Sequence, residues 1–155
     1  MRTIFTAILV LFMALGAVCQ APARPSDEDM QRFRAEIRTY KHEFLTRELK
    51  LTQEQQREFF PVYDEMDDAV DAIARQTRDL EMQVRDKADA TDVEIEAAAR
   101  AMYEQKGAEG AEELKYFESF RRILQPRQLL MLKAAERKFT RELMRQHRRA
   151  SKGRH

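Results

Sequence analysis

Few side chains in this sequence are typed and spaced for chemistry. Asp64, Asp68 and Asp71 share one helix face and could offer oxygen ligands to a hard divalent cation. At about 100° per residue that face lies opposite Met66, Val70 and Ile73, so solvent exposure accounts for it. A hard cation also wants more converging oxygens than one face supplies. His42, His147 and His155 are scattered, and no Glu-x-x-His pair exists, which removes the di-iron chemistry of some four-helix proteins. His42-Glu43 is only a fragment of a zinc-peptidase helix, and neither a Gly-rich phosphate loop nor a Gly-x-Ser-x-Gly elbow is present. The residues therefore predict no enzyme, no metal and no cofactor.

Cys19 is the only cysteine, and it falls in what reads as a leader. Arg2 precedes an uncharged apolar run from Thr3 to Val18, and Ala21-Pro22-Ala23-Arg24-Pro25 follows. That is the layout of a secretory signal peptide, taken as residues 1–23, with cleavage after Cys19 or Ala23. Acylation of Cys19 is the competing reading, disfavoured because Val18 is not the small residue that lipoprotein processing wants. Export to the periplasm or cell surface is the expectation. The mature chain would then carry no thiol for catalysis, zinc, haem attachment or a disulfide.

What remains is one domain's worth of chain. Charged residues make up 35%, there are 4 glycines, and tryptophan is absent, a profile of long helices. The net charge of +1 conceals a strong polarity. Residues Glu58 to Glu118 hold 18 acidic and 7 basic side chains, giving −11, whereas Pro126 to His155 hold 10 basic and 2 acidic, giving +8.

Four helices are predicted from apolar spacing. The first opens at Ser26, with Asp29 as its capping-box partner, and carries Met30, Phe33, Ile37, Tyr40 and Phe44 at alternating steps of three and four. The second follows Thr52 and contains Pro61, which predicts a bend. After a turn at Asp86 to Ala90, Thr91 and Glu94 launch a third helix that runs to Leu124 and contains Gly107 and Gly110. The fourth starts at Pro126 and fades past Arg148, with residues 151–155 as a basic disordered tail. Stripes this narrow pair like coiled coils. They predict an all-α fold of two long, bent, antiparallel hairpins, thin enough that a second copy would help to bury the remaining apolar face.

One short pattern occurs twice. Leu51-Thr52-Gln53-Glu54-Gln55 is echoed by Leu124-Gln125-Pro126-Arg127-Gln128. Each copy stands before a long amphipathic stretch; the first reads as a capping box between Thr52 and Gln55, and the second places Pro126 at the first helical position. The Leu-Thr-x-x-Gln pattern, with the leader, the absent mature cysteines and the helical layout of residues 24–150, resembles the Spy/CpxP family of small exported helical proteins. The second copy departs from it, having Gln125 in place of threonine. The resemblance implies a bent hairpin dimerising into a cradle, and ATP-independent chaperoning of unfolded envelope proteins. The alternative it leaves is an envelope-stress or metal-sensing regulator that binds a membrane sensor.

From the residues themselves, Leu51, Thr52, Gln55, Leu124 and Gln128 are read as architectural. Phe59, Phe60, Met66, Arg141 and Arg145 are the candidates for client contact, since flexible methionines and exposed rings suit promiscuous binding. Phe59 and Phe60 cannot both lie on one narrow stripe, which predicts that one ring is exposed. The basic end could meet acidic clients, anionic headgroups, a sensor or a dimer mate; nucleic acid does not fit the expected compartment.

Overall fold

The computed structural model describes residues 26–152, and the leader with Cys19 lies outside them. Among the described residues there are five helices and no strand: α1 (Asp27–Leu49), α2 (Gln53–Asp86), α3 (Asp92–Lys115), α4 (Phe117–Ile123) and α5 (Pro126–Lys152). None is long and apolar enough to cross a membrane. The chain divides into two units, Met1–Ile37 and Arg38–His155. The described part of the first is the opening of α1. There the Ser26 hydroxyl accepts the Asp29 N–H at 3.1 Å, and the Asp29 carboxylate accepts the Ser26 N–H at 3.2 Å, which is the expected capping box.

The second unit is held by its helix ends. α1 stops at Lys50, whose φ of 54° is left-handed, and the Leu51 N–H reaches back to the Thr46 carbonyl at 3.0 Å. This six-to-one bond satisfies an orphan carbonyl and turns the chain toward α2. Thr52 and Gln55 form the predicted capping box of α2, and Thr91 and Glu94 that of α3. α2 continues through Pro61 as one 34-residue helix. α5 runs to Lys152, past the point where the sequence predicts it to fade.

Five helices replace the four expected because the third breaks at Tyr116. Its N–H bonds to the Glu113 carbonyl at 3.1 Å, a tightened turn, before Phe120 resumes the ladder by donating to the Tyr116 carbonyl at 3.0 Å. The reset lets α4 bury Phe120 while Leu114 and Phe117 remain exposed.

Every buried residue in the described chain is apolar or tyrosine, and most of them gather where the two motif copies meet. Phe59 and Leu45 are fully buried, and Tyr63 is 1% exposed. Phe59 packs against Tyr63 at 5.2 Å and Phe120 at 5.4 Å between ring centroids, and Phe139 of α5 packs against both Tyr40 and Phe44 of α1 at 5.5 Å. This aromatic junction is thicker than the thin seams the sequence predicts. The α2–α3 hairpin is different: beyond Met66 its only buried residue is Ala98.

Candidate functional site

At the junction the two motif copies act on each other. The Gln55 Oε1 accepts the Thr52 N–H at 3.2 Å and the Gln128 Nε2 at 3.0 Å. Its Nε2 donates to the Gln128 Oε1 at 2.8 Å and to the Ile123 carbonyl at 3.1 Å. Gln128 mirrors this: its Oε1 also accepts the Gln125 N–H at 2.8 Å, and its Nε2 donates to the Leu49 carbonyl at 3.1 Å. Both amides thus use two donors and two acceptor sites, which is all that a primary amide offers in good geometry. Leu49 ends α1 and Ile123 ends α4, so each glutamine starts its own helix and ties off the helix that precedes the other motif. Leu51 and Leu124, both buried, anchor the clasp from the apolar side.

The architectural reading of the five motif residues fits this geometry. What sequence reasoning missed was the pairing across the repeat. A signal for it existed: the second copy loses its threonine but keeps its glutamine. Self-capping alone is open to glutamate as well, whereas giving and receiving a hydrogen bond at once needs an amide. In the second copy the Gln125 N–H bonds Gln128, but no return bond from a Gln125 side chain completes a box, and Pro126 sets the first turn.

Beside the clasp, an open groove of about 210 Å³ runs between α3, α4 and α5. Met66, Leu114, Phe117, Phe120, Leu129 and Leu132 give it apolar walls, and Gly110 adds no side chain to the α3 wall. A methyl group built there would meet nothing within 4 Å. Leu114 is 69% exposed and Phe117 is 42% exposed, a sizeable apolar surface for so small a unit. On the polar rim, Lys133 bridges Glu113 at 2.6 Å and Glu136 at 2.9 Å. Burial alone would lower the Lys133 pKa, but the hydrogen bonds and charges of those two carboxylates outweigh it and hold the ammonium above its ordinary value. Glu136 also accepts the Tyr63 hydroxyl at 3.0 Å, and burial first, then that carboxylate, pushes the phenol well above its usual range. The rim therefore sets one ammonium against two carboxylates, and the floor is apolar. Such a surface can hold an apolar side chain.

No protein-family model matches this chain, and no curated protein or solved structure matches it.

The structure distributes the candidate contact residues unevenly. Phe59 is fully buried and belongs to the core, whereas Met66, 3% exposed, is packed into the core and also forms part of the groove wall. The expected exposed ring is not found, because Phe60 is half-buried under His42, the two rings stacked at 4.0 Å. Arg141 and Arg145 are exposed, with Arg145 paired to Glu142. The acidic face of α2 is only partly a solvent face. His42 Nε2 lies 2.7 Å from Asp64, Lys41 lies 2.6 Å from Asp67, and Arg38 pairs with Asp68, so α1 covers that side with polar partners. Asp71 stays exposed, near Arg75. Among the described residues, no three His, Cys, Asp or Glu side chains converge as a metal site.

Proposed function

We propose that this protein is an ATP-independent chaperone of the exported compartment, which holds apolar segments of unfolded proteins in the α3–α4–α5 groove and so suppresses their aggregation. The observation that carries this reading is the exposure of Leu114 and Phe117 beside an open apolar floor. A lone exposed leucine means little, but contiguous apolar surface around a groove is where partners bind. The resemblance of the paired Leu-x-x-x-Gln copies to the Spy/CpxP signature points the same way, as does the leader-like segment before Ser26. The two-hairpin, cradle-like dimer belongs to the same proposal. A second copy would cover part of the exposed apolar surface of α3, where Ile95 is 49% and Met102 50% exposed.

The test is addition of the purified mature chain to a chemically unfolded, aggregating client. Light scattering is expected to fall at an equimolar dose without nucleotide; unchanged scattering would contradict the proposal. Sedimentation checks the dimer, and a chain that stays monomeric when concentrated would remove it.

A further inference from the structure

We infer that the outward face of α5 is a docking face for anionic phospholipid surfaces. At about 100° per residue, Arg127, Arg137, Lys138, Arg141, Arg145 and Arg149 fall within an arc on the order of 120° wide, away from the side that buries Leu132, Ala135 and Phe139. All six of these residues are exposed.

The carboxylates that could neutralise the arc are few and engaged. α5 contains only Glu136 and Glu142: the first faces Tyr63 and Lys133, and the second pairs with Arg145. From α1, Glu48 takes Lys138 at 2.6 Å. No ion pair within the described residues engages Arg127, Arg137, Arg141 or Arg149. The chain's acids are instead concentrated between Glu58 and Glu118, so charge is segregated along the sequence.

A second feature separates this arc from an ordinary solvated face. Leu130 (79% exposed), Met131 (45%) and Met144 (53%) stand on or beside it, interleaved with the arginines. Cations alternating with flexible apolar side chains along a convex helix suit a flat array of headgroups over an acyl boundary, where each Lys or Arg near an anionic surface contributes additively. A folded acidic protein would need a complementary concave surface instead. The groove proposed for clients lies on another side of α5, through Leu129, Leu132, Lys133 and Glu136, so both surfaces can be occupied together.

The experiment is co-sedimentation of the mature chain with phosphatidylcholine vesicles and with vesicles containing phosphatidylglycerol, at low and high salt. Binding is expected only to the anionic vesicles, and to be lost at about 1 M salt, where the screening length is ~3 Å. Arg127→Gln, Arg137→Gln and Arg149→Gln combined should weaken it on the order of a hundredfold, about fivefold for each charge removed. All three are exposed, so the circular-dichroism melt should not move, and suppression of client aggregation in lipid-free solution should survive. No binding at low salt, equal binding to neutral vesicles, or undiminished binding by the triple variant would each overturn the inference. So would binding to a polyglutamate peptide but not to vesicles, which would make the partner acidic protein.

Discussion

Around Gln55 and Gln128, the ends of four helices meet over tilted and edge-on aromatic rings; from Val70 to Leu114, the α2–α3 hairpin runs on with Ala98 as its only buried residue. Both regions are built from amphipathic helices with good capping boxes, yet they are held by different means. At the junction, burial of large rings supplies most of the stabilisation, and the glutamine clasp fixes which helix ends meet. Along the hairpin, close approach of small side chains and the Lys87–Glu94 clamp at the turn have to suffice. Helix starts are thus nearly equal in quality, and the depth of the layer beneath them separates a rigid region from a loosely held one.

The largest effect should come from the junction's centre. Phe59→Ala, at a fully buried position, is expected to cost about 3–5 kcal/mol in urea melts, whereas Ile95→Ala on the half-exposed hairpin should cost under ~1 kcal/mol. Comparable losses would mean that the hairpin hides as much surface as the junction.

Next in size is the clasp. Gln55→Ala leaves Gln128, the Ile123 carbonyl and the Thr52 N–H each short of a partner, at a cost of roughly 1–3 kcal/mol, and Gln128→Ala should behave alike. Because the two share their bonds, the double variant should lose less than the sum, by about 1 kcal/mol. Strict additivity would show that the amides act separately as caps. Gln55→Glu sharpens the point: a carboxylate still accepts the Thr52 N–H but cannot donate to the Ile123 carbonyl, so most of the loss should remain at neutral pH.

The hairpin should respond in the opposite direction. Gly107 sits inside α3 with open space where a side chain would go, so Gly107→Ala should raise stability by about 1 kcal/mol. A smaller effect belongs to the turn. Glu94 accepts hydrogen bonds from Lys87, then from the Thr91 N–H and hydroxyl, and these hold its pKa down at about 2 from an ordinary 4.5. A depressed carboxylate stabilises the fold above its unfolded pKa and loses that contribution as pH falls through the folded one. Protection of amides near Thr91 against hydrogen exchange, relative to their intrinsic rates, should therefore fall between about pH 4.5 and pH 2. The Glu94→Gln variant should show a flatter response over that range.

Much of the scaffold was legible because its causes are local. Ser26 with Asp29, Thr52 with Gln55, and Thr91 with Glu94 are each complete within four residues, so reading them needs no tertiary knowledge. The break at Tyr116 was not legible, since neither glycine nor proline marks it, and Gly107 and Gly110 lie further back. What bends the chain there is the demand of the junction for Phe120, which is a tertiary cause. Likewise, the steps of Phe59 and Met66 mark an apolar face but not how deep the neighbouring helices lie. The same limit applied to Asp64 and Asp68, whose partners His42 and Arg38 sit on another helix. Of the candidate contact residues only Met66 lines the groove, and the other walls come from α3, α4 and α5.

The central claim is that a clasped junction holds the groove open as the client surface, while the hairpin beyond it is not needed for contact. Leu114→Asp with Phe117→Asp, compared with Val93→Asp and Ile95→Asp on the hairpin, tests it most directly, since all four residues are exposed. In a client-aggregation assay at equal dose, the groove pair is expected to abolish protection while the hairpin pair keeps most of it, both variants remaining helical. Equal protection by the two variants, or loss confined to the hairpin pair, would contradict the account.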